Sequence, residues 1–277
     1  MESLLLFLKS TLTIMIPLFF AAMGGLYTVL AGILNIALEG LLLCGAFSSL
    51  AVFYFTGNYL ASVICAVISS TALAALHAFS IFKLRANIFI TGLAVNLLSS
   101  GLCAVFSEKL FNTKGVVAAA GSSSILLWYS IFTFIILVVS WLAIYKTPFG
   151  YRLRACDKNS PALVSLSVNP ELYKAASLFI SGFCCGIGGS FLSLNITAFV
   201  PGMSAGKGWI ALAVVFLGAK KPHGVLAAAF VFAAFECYSN YAQGFFSIPA
   251  DFILAFPYIC TLAVMIGVSI VPKKTPL

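Results

Sequence analysis

Apolar residues run through this chain in long blocks, and the polar positions fall in short, widely spaced intervals between them. The blocks cover about residues 11–30, 41–54, 59–77, 88–106, 126–144, 173–194, 225–241 and 252–271. Most come close to the roughly 20 apolar residues that a helix needs to cross a bilayer. Backbone groups in lipid must pair within their own segment, so each block is predicted to be a helix. A further block, 209–217, is too short to cross alone at ~1.5 Å per residue. It either borrows from 203–208 or is a half-helix. The pattern predicts an all-α polytopic membrane protein of about eight or nine transmembrane or half-spanning helices, with 1–277 forming one transmembrane domain. Lys9 followed by apolar residues, with Ala21 and Ala22 further on, has the outline of a secretory signal. The block flows into more apolar sequence without a polar mature start, so it is read as the first crossing.

The longest polar interval, 145–172, holds Lys146, Arg152, Arg154 and Lys158, with Lys174 just beyond. Ser160 then Pro161 is a helix start, a capping residue before a first-turn proline. The predicted helix carries Ala162, Leu163 and Leu166 on one face and stops near Val168. Asn169-Pro170-Glu171 then opens the next crossing. Two readings stay open: a docking element for a partner on that side of the membrane, or an ordinary interfacial loop.

Composition adds the class. The chain is 62% hydrophobic and only 8% charged, against about 25% charged in soluble domains. The net charge of +8 raises nucleic acid as a partner, but the basic residues sit in short inter-helix loops, where the positive-inside bias accounts for them. With the 145–172 interval inside, the inner segments hold Lys83, Arg85, Lys146, Arg152, Arg154, Lys158, Lys174, Lys220, Lys221, Lys273 and Lys274. The outer segments hold Lys9, Lys109, Lys114 and Lys207, which completes the 15 basic residues. This predicts an outer N-terminus and a cytoplasmic C-terminus. The eight cysteines are scattered, with no CxxC pair, and read as small buried apolar residues. His77 and His223 lack metal-site spacing, and no phosphate-cradling GxxxxGK[ST] loop occurs, so the chain is expected to be neither an enzyme nor its own ATPase and to bind no cofactor.

Polar residues inside apolar blocks are costly in lipid and mark candidate sites. Glu39 is expected either to accept from free N–H groups at a helix start or to contact a solute. Asn35 is expected to tie the broken backbone at 31–40. Asn96, in mid-block, either bridges helices or faces a solute path. Glu236 either reaches the interface or lines an outer vestibule. The chain also reads as two halves. Residues 22–26 resemble 186–191, and each stretch precedes a glycine-interrupted break. Halves at 11–106 and 173–271 would be inverted repeats, an arrangement common in transporters. An ion-coupled carrier of that kind is the alternative function, although it needs deep acidic residues and only Glu39 and Glu236 offer themselves.

The stretch 32–40, Gly-Ile-Leu-Asn-Ile-Ala-Leu-Glu-Gly, with Gly45-Ala46-Phe47 after it, resembles the signature of permease subunits of ABC importers. The subgroup handles nucleosides and simple sugars and is kin to the ribose and branched-chain amino acid permeases. Residues 147–155, 181–189 and 202–213 agree in order. The resemblance implies a bacterial cytoplasmic membrane protein importing a nucleoside, a simple sugar or a riboflavin-like vitamin. It implies a separate cytoplasmic ABC ATPase that holds ATP and Mg, a second permease subunit, and an extracytoplasmic solute-binding protein or lipoprotein. It also places the coupling helix, which sits on the ATPase, in the 145–172 interval, with Arg152, Arg154, Ser160, Pro161, Ala162, Leu163 and Leu166. The family's Gly-Glu-Asn stands here as Asp157-Lys158-Asn159.

Overall fold

A computed structural model describes residues 2–121 and 125–242 of the chain. The predicted crossing at 252–271, Lys273 and Lys274 lie outside the described residues. Ten helices appear among those described: α1 Glu2–Leu30, α2 Leu38–Thr56, α3 Tyr59–Phe82, α4 Ile88–Phe111, α5 Leu126–Lys146, α6 Pro148–Lys158, α7 Ser160–Ser165, α8 Pro170–Ile196, α9 Lys207–Leu217 and α10 Pro222–Ala242. Two short strands, β1 Val117–Ala118 and β2 Ala198–Phe199, pair antiparallel with Val117 opposite Phe199. The fold is all-α and polytopic. Helices α1 to α5 and α8 are each long and apolar enough to cross a membrane, and α9, at 11 residues, is a short apolar helix.

Most helix ends follow from local chemistry. Asn58, Asn87 and Asn169 cap α3, α4 and α8 through their side-chain oxygens. Gly32 ends α1 in the left-handed region at φ 79°. Its N–H bonds Val29 O, and Ile33 N–H bonds Thr28 O, so the last carbonyls of α1 are satisfied.

The polar interval differs from the sequence expectation. It holds two helices. Thr147 Oγ1 accepts from Gly150 N–H, and Pro148 occupies the first turn, so α6 starts twelve residues before α7. Ser160 does not cap α7: the N-cap is Asn159, and Ser160 Oγ donates to Cys156 O at 2.6 Å. Nor do Ala162, Leu163 and Leu166 share a face. Leu163 is buried, while Ala162 and Leu166 are exposed. The helix ends at Ser165, so Leu166 is already its C-cap and Ser167 turns left-handed at φ 59°.

Successive long helices alternate in direction. The C-terminal end of α1 meets Asp157 of α6, and Ile33, Ile81, Ile88 and Leu178 cluster at that same end. At the opposite end Phe47 meets Phe111 and Phe199, and Phe53 meets Tyr59. The basic residues Lys83, Arg85, Lys146, Arg152, Arg154, Lys158, Lys174, Lys220 and Lys221 therefore gather at the α6–α7 end, while Lys109 and Lys114 lie at the other.

Helix α8 is the hub, packed on α1, α2 and α3. Small residues allow this approach: a Cβ on Gly186 would sit 2.6 Å from Val67 Cα, and one on Gly189 would strike the backbone of Leu42. Serines close the remaining polar gaps, with Ser49 Oγ 2.7 Å from Ser193 Oγ and Ser70 Oγ donating to Leu41 O at 2.7 Å.

Candidate functional site

Two chain breaks meet in the middle of the bundle, one between α1 and α2 and one between α8 and α9. At the first, Asn35 is fully buried. Its Nδ2 donates to Ser181 Oγ of α8 at 2.9 Å, and its Oδ1 accepts from Ala37 N–H at 3.1 Å. The expectation that Asn35 ties the broken backbone describes this geometry. Asn96 of α4 acts beside it. Its Oδ1 accepts from Gly40 N–H at 2.8 Å, and its Nδ2 donates to Ile36 O at 3.0 Å. Residues 36 and 40 are the partners that a regular helix would join directly, so the Asn96 amide is spliced into a missing helical turn. Ser99 Oγ donates to Gly40 O at 2.6 Å, one turn further along α4.

Glu39 sits in the first turn of α2 but serves a different helix start. Its Oε1 accepts from Gly206 N–H at 2.8 Å and its Oε2 from Gly208 N–H at 2.7 Å. Gly206 is the N-cap of α9, has φ 80° and has no side chain to satisfy its own helix. The carboxylate supplies that cap from 167 residues away and faces the positive end of the α9 dipole. Gly208 has to be glycine here: a Cβ would lie 2.6 Å from Glu39 Cα.

The intervening residue, Lys207, donates to Glu236 of α10, with Nζ 3.1 Å from Oε1. The sequence counts Lys207 with the outer segments and names no partner for Glu236. Spacing gave no sign of the pairing, because Pro201 to Gly206 read as a loop. Residues 206–208 are thus gripped by two carboxylates from two helices. Of the four candidate path residues, Asn35 is fully buried between Ser181 and the Ala37 N–H, while Asn96, Glu39 and Glu236 keep partial exposure.

The second candidate surface is α6–α7. Arg152 donates to Tyr173 Oη at 2.9 Å. The Arg154 guanidinium lies 5.1 Å from the ring centres of both Tyr145 and Tyr151, so these arginines are held in place rather than free to swing. Tyr151, Val164, Leu166 and Leu172 stand exposed beside them, Leu166 at 73%. Leu163, at 5%, anchors α7 to the rest of the chain. Cys156 is buried, and burial pushes its thiol pKa up, with Lys174 pulling the other way. Asp157 packs on Gly32, where a Cβ would lie 3.0 Å from Oδ1. This contact joins the α6–α7 surface to the α1–α2 break. Among the described residues no cluster of His, Cys, Asp or Glu has metal-binding geometry.

Comparison with known proteins places this architecture. A family model for the branched-chain amino acid transport system permease component matches residues 7–272. The nucleoside ABC transporter permease protein NupC of Lactococcus lactis is 28% identical, over 93% of this chain and 91% of the relative. The guanosine ABC transporter permease protein NupQ of Bacillus subtilis is 29% identical, over 96% of this chain and 92% of the relative. No solved structure gives a significant match. With a family model spanning nearly the whole chain and an all-helical multi-pass fold beneath it, this chain belongs to the branched-chain amino acid transport system permease family and is an ABC permease subunit.

Proposed function

We propose that this chain is the membrane-spanning subunit of an ATP-driven importer for uncharged nucleosides. The observation that carries the reading is end-to-end similarity to two permeases whose names specify nucleoside or guanosine transport. The site supports it. Inside the bundle the charges meet opposite partners, Lys207 with Glu236 and Glu39 with the α9 N-terminus. A path neutralised in this way suits a neutral, hydrogen-bonding solute, since an uncompensated charge in a low-dielectric path repels one sign and traps the other.

The partners follow from the same reading. A cytoplasmic ATPase docks on α6–α7, where Tyr151, Val164 and Leu166 offer apolar contact and Arg152 and Arg154 face acidic groups at the rim. Ser160, Pro161 and Ala162 form the first turn of α7, and Leu163 seats it. A second permease subunit completes the path, and an extracytoplasmic binding protein or lipoprotein delivers solute. The α6–α7 end faces the cytoplasm, as the gathering of basic residues supports. The two breaks, each following a long helix and joined through Glu39, support an inverted-repeat origin for the halves. ATP and Mg belong to the ATPase.

The test is uptake of radiolabelled guanosine by cells expressing the whole transport system, against cells lacking this chain. Uptake is expected to require the chain and to persist under a proton ionophore while cellular ATP is maintained. Uptake that collapses with the ion gradient at constant ATP makes the protein an ion-coupled carrier instead.

A further inference from the structure

Lys207 and Glu236 form an ion pair that membrane physics does not let face lipid. Glu236 lies about 20 Å along α10 from its start at ~1.5 Å per residue, in the outer part of a hydrocarbon layer of about 30 Å. The pair is not sealed, because the side chains retain 13% and 24% of their accessible surface. A partly open ion pair at that depth requires water, protein or solute against it. Its hydrogen-bonding capacity is also incomplete. The ammonium has three N–H donors, and among the described residues only Glu236 Oε1 receives one. Glu236 Oε2 has no partner among those residues. Glu39 holds the two flanking N–H groups, of Gly206 and Gly208, and so fixes where the Lys207 backbone stands.

Building on the nucleoside reading, we propose that Lys207 and Glu236 together form the hydroxyl-recognition subsite of the solute path. Two neighbouring hydroxyls on a ring carry a donor and an acceptor side by side. One hydroxyl accepts from the Lys207 ammonium while the next donates to Glu236 Oε2. The pair is neutral as a unit, so it binds hydroxyls without demanding a charge on the solute. Glu39 is a positioning residue that orients this subsite through the α9 backbone.

The experiment is equilibrium binding of radiolabelled guanosine and 2′,3′-dideoxyguanosine to the purified permease–ATPase complex without solute-binding protein. The variants are the double variant Lys207→Met/Glu236→Met and the single variant Lys207→Arg. Replacing both charges by apolar groups of similar volume leaves no unpaired charge and is generally tolerated by the fold. The thermal transition of the double variant is therefore expected to stay close to wild type. Wild type is expected to bind guanosine about ten- to a hundredfold more tightly than the dideoxy analogue, the usual worth of hydrogen bonds to charged groups. The double variant is expected to lose that difference, and Lys207→Arg to keep it. Discrimination that survives in the double variant, or equal binding of both solutes by wild type, reduces the pair to a structural lock between α9 and α10 and overturns the proposal. If the whole system takes up glucose but not guanosine, the nucleoside reading fails separately. The subsite then stands only if the double variant loses glucose binding.

Discussion

A single amide shows how much one residue can do in this chain. Asn96 substitutes for the hydrogen bond that residues 36 and 40 cannot make directly, and Glu39 lies between those residues in sequence. Replacing the amide with leucine leaves a carbonyl and an N–H unpaired in a half-buried site, at about 1–3 kcal/mol for each unsatisfied group. Asn96→Leu is therefore expected to lower the thermal transition of the purified protein as well as uptake. Unchanged stability with lost uptake would instead put Asn96 in contact with solute. Legibility at this scale was uneven. That Glu39 would accept from free N–H groups at a helix start could be argued from its position in an apolar block. Which helix start could not, because the α9 cap lies 167 residues away and sequence spacing carries no information about it. The Lys207–Glu236 pairing is hidden for the same reason, the two residues lying 29 apart on different helices.

Among the elements, α6 and α7 carry the sharpest contrast. Ser160-Pro161 reads as a helix start and Thr147-Pro148 does not, although it is Thr147 whose side chain caps a helix. Thr147 falls inside the polar interval 145–172, and the arginines behind it read as loop. The short length of α7 also defeated a face assignment, since a helix of six residues gives periodicity too few turns to act on. Burial now separates two leucines that sequence had grouped. Leu163→Asp places an unpaired carboxylate in a buried position and is expected to reduce the amount of folded protein, at a cost of several kcal/mol. Leu166→Asp changes an exposed side chain and is expected to leave insertion and folding intact. In complex with the ATPase it is expected to abolish solute-stimulated ATP hydrolysis. Full stimulated activity in a well-inserted Leu166→Asp variant would make α7 a connector and move the docking surface to α6 alone.

At the scale of the whole molecule, the alternation of helix directions makes membrane orientation testable without reference to either terminus. Six of the hydrophobic blocks stand as helices long and apolar enough to cross, because lipid imposes the same demand on each of them. They gave the ends less well: α3 and α4 each run about five residues past the apolar block, α4 through a final turn that carries Glu108 and Lys109, and α3 through Ala78 to Phe82 up to its cap at Lys83. The basic residues gather at the α6–α7 end, and the orientation proposed above, with that end in the cytoplasm, rests on the positive-inside bias. Two exposed positions on opposite ends report on this, Lys114 in the α4–α5 connection and Lys158 at the end of α6. Five of the seven cysteines among the described residues are buried and the other two half-buried, so a new exposed thiol should stand out against a low background. Lys114→Cys is expected to react with a membrane-impermeant maleimide added to intact cells stripped of their outer barrier. Lys158→Cys is expected to react only after the membrane is opened. The opposite pattern would turn the molecule over, put α6–α7 outside, and remove the surface proposed for the ATPase. Labelling of both positions from outside would mean a leaky preparation, which a cytoplasmic marker protein with a free thiol detects in the same sample.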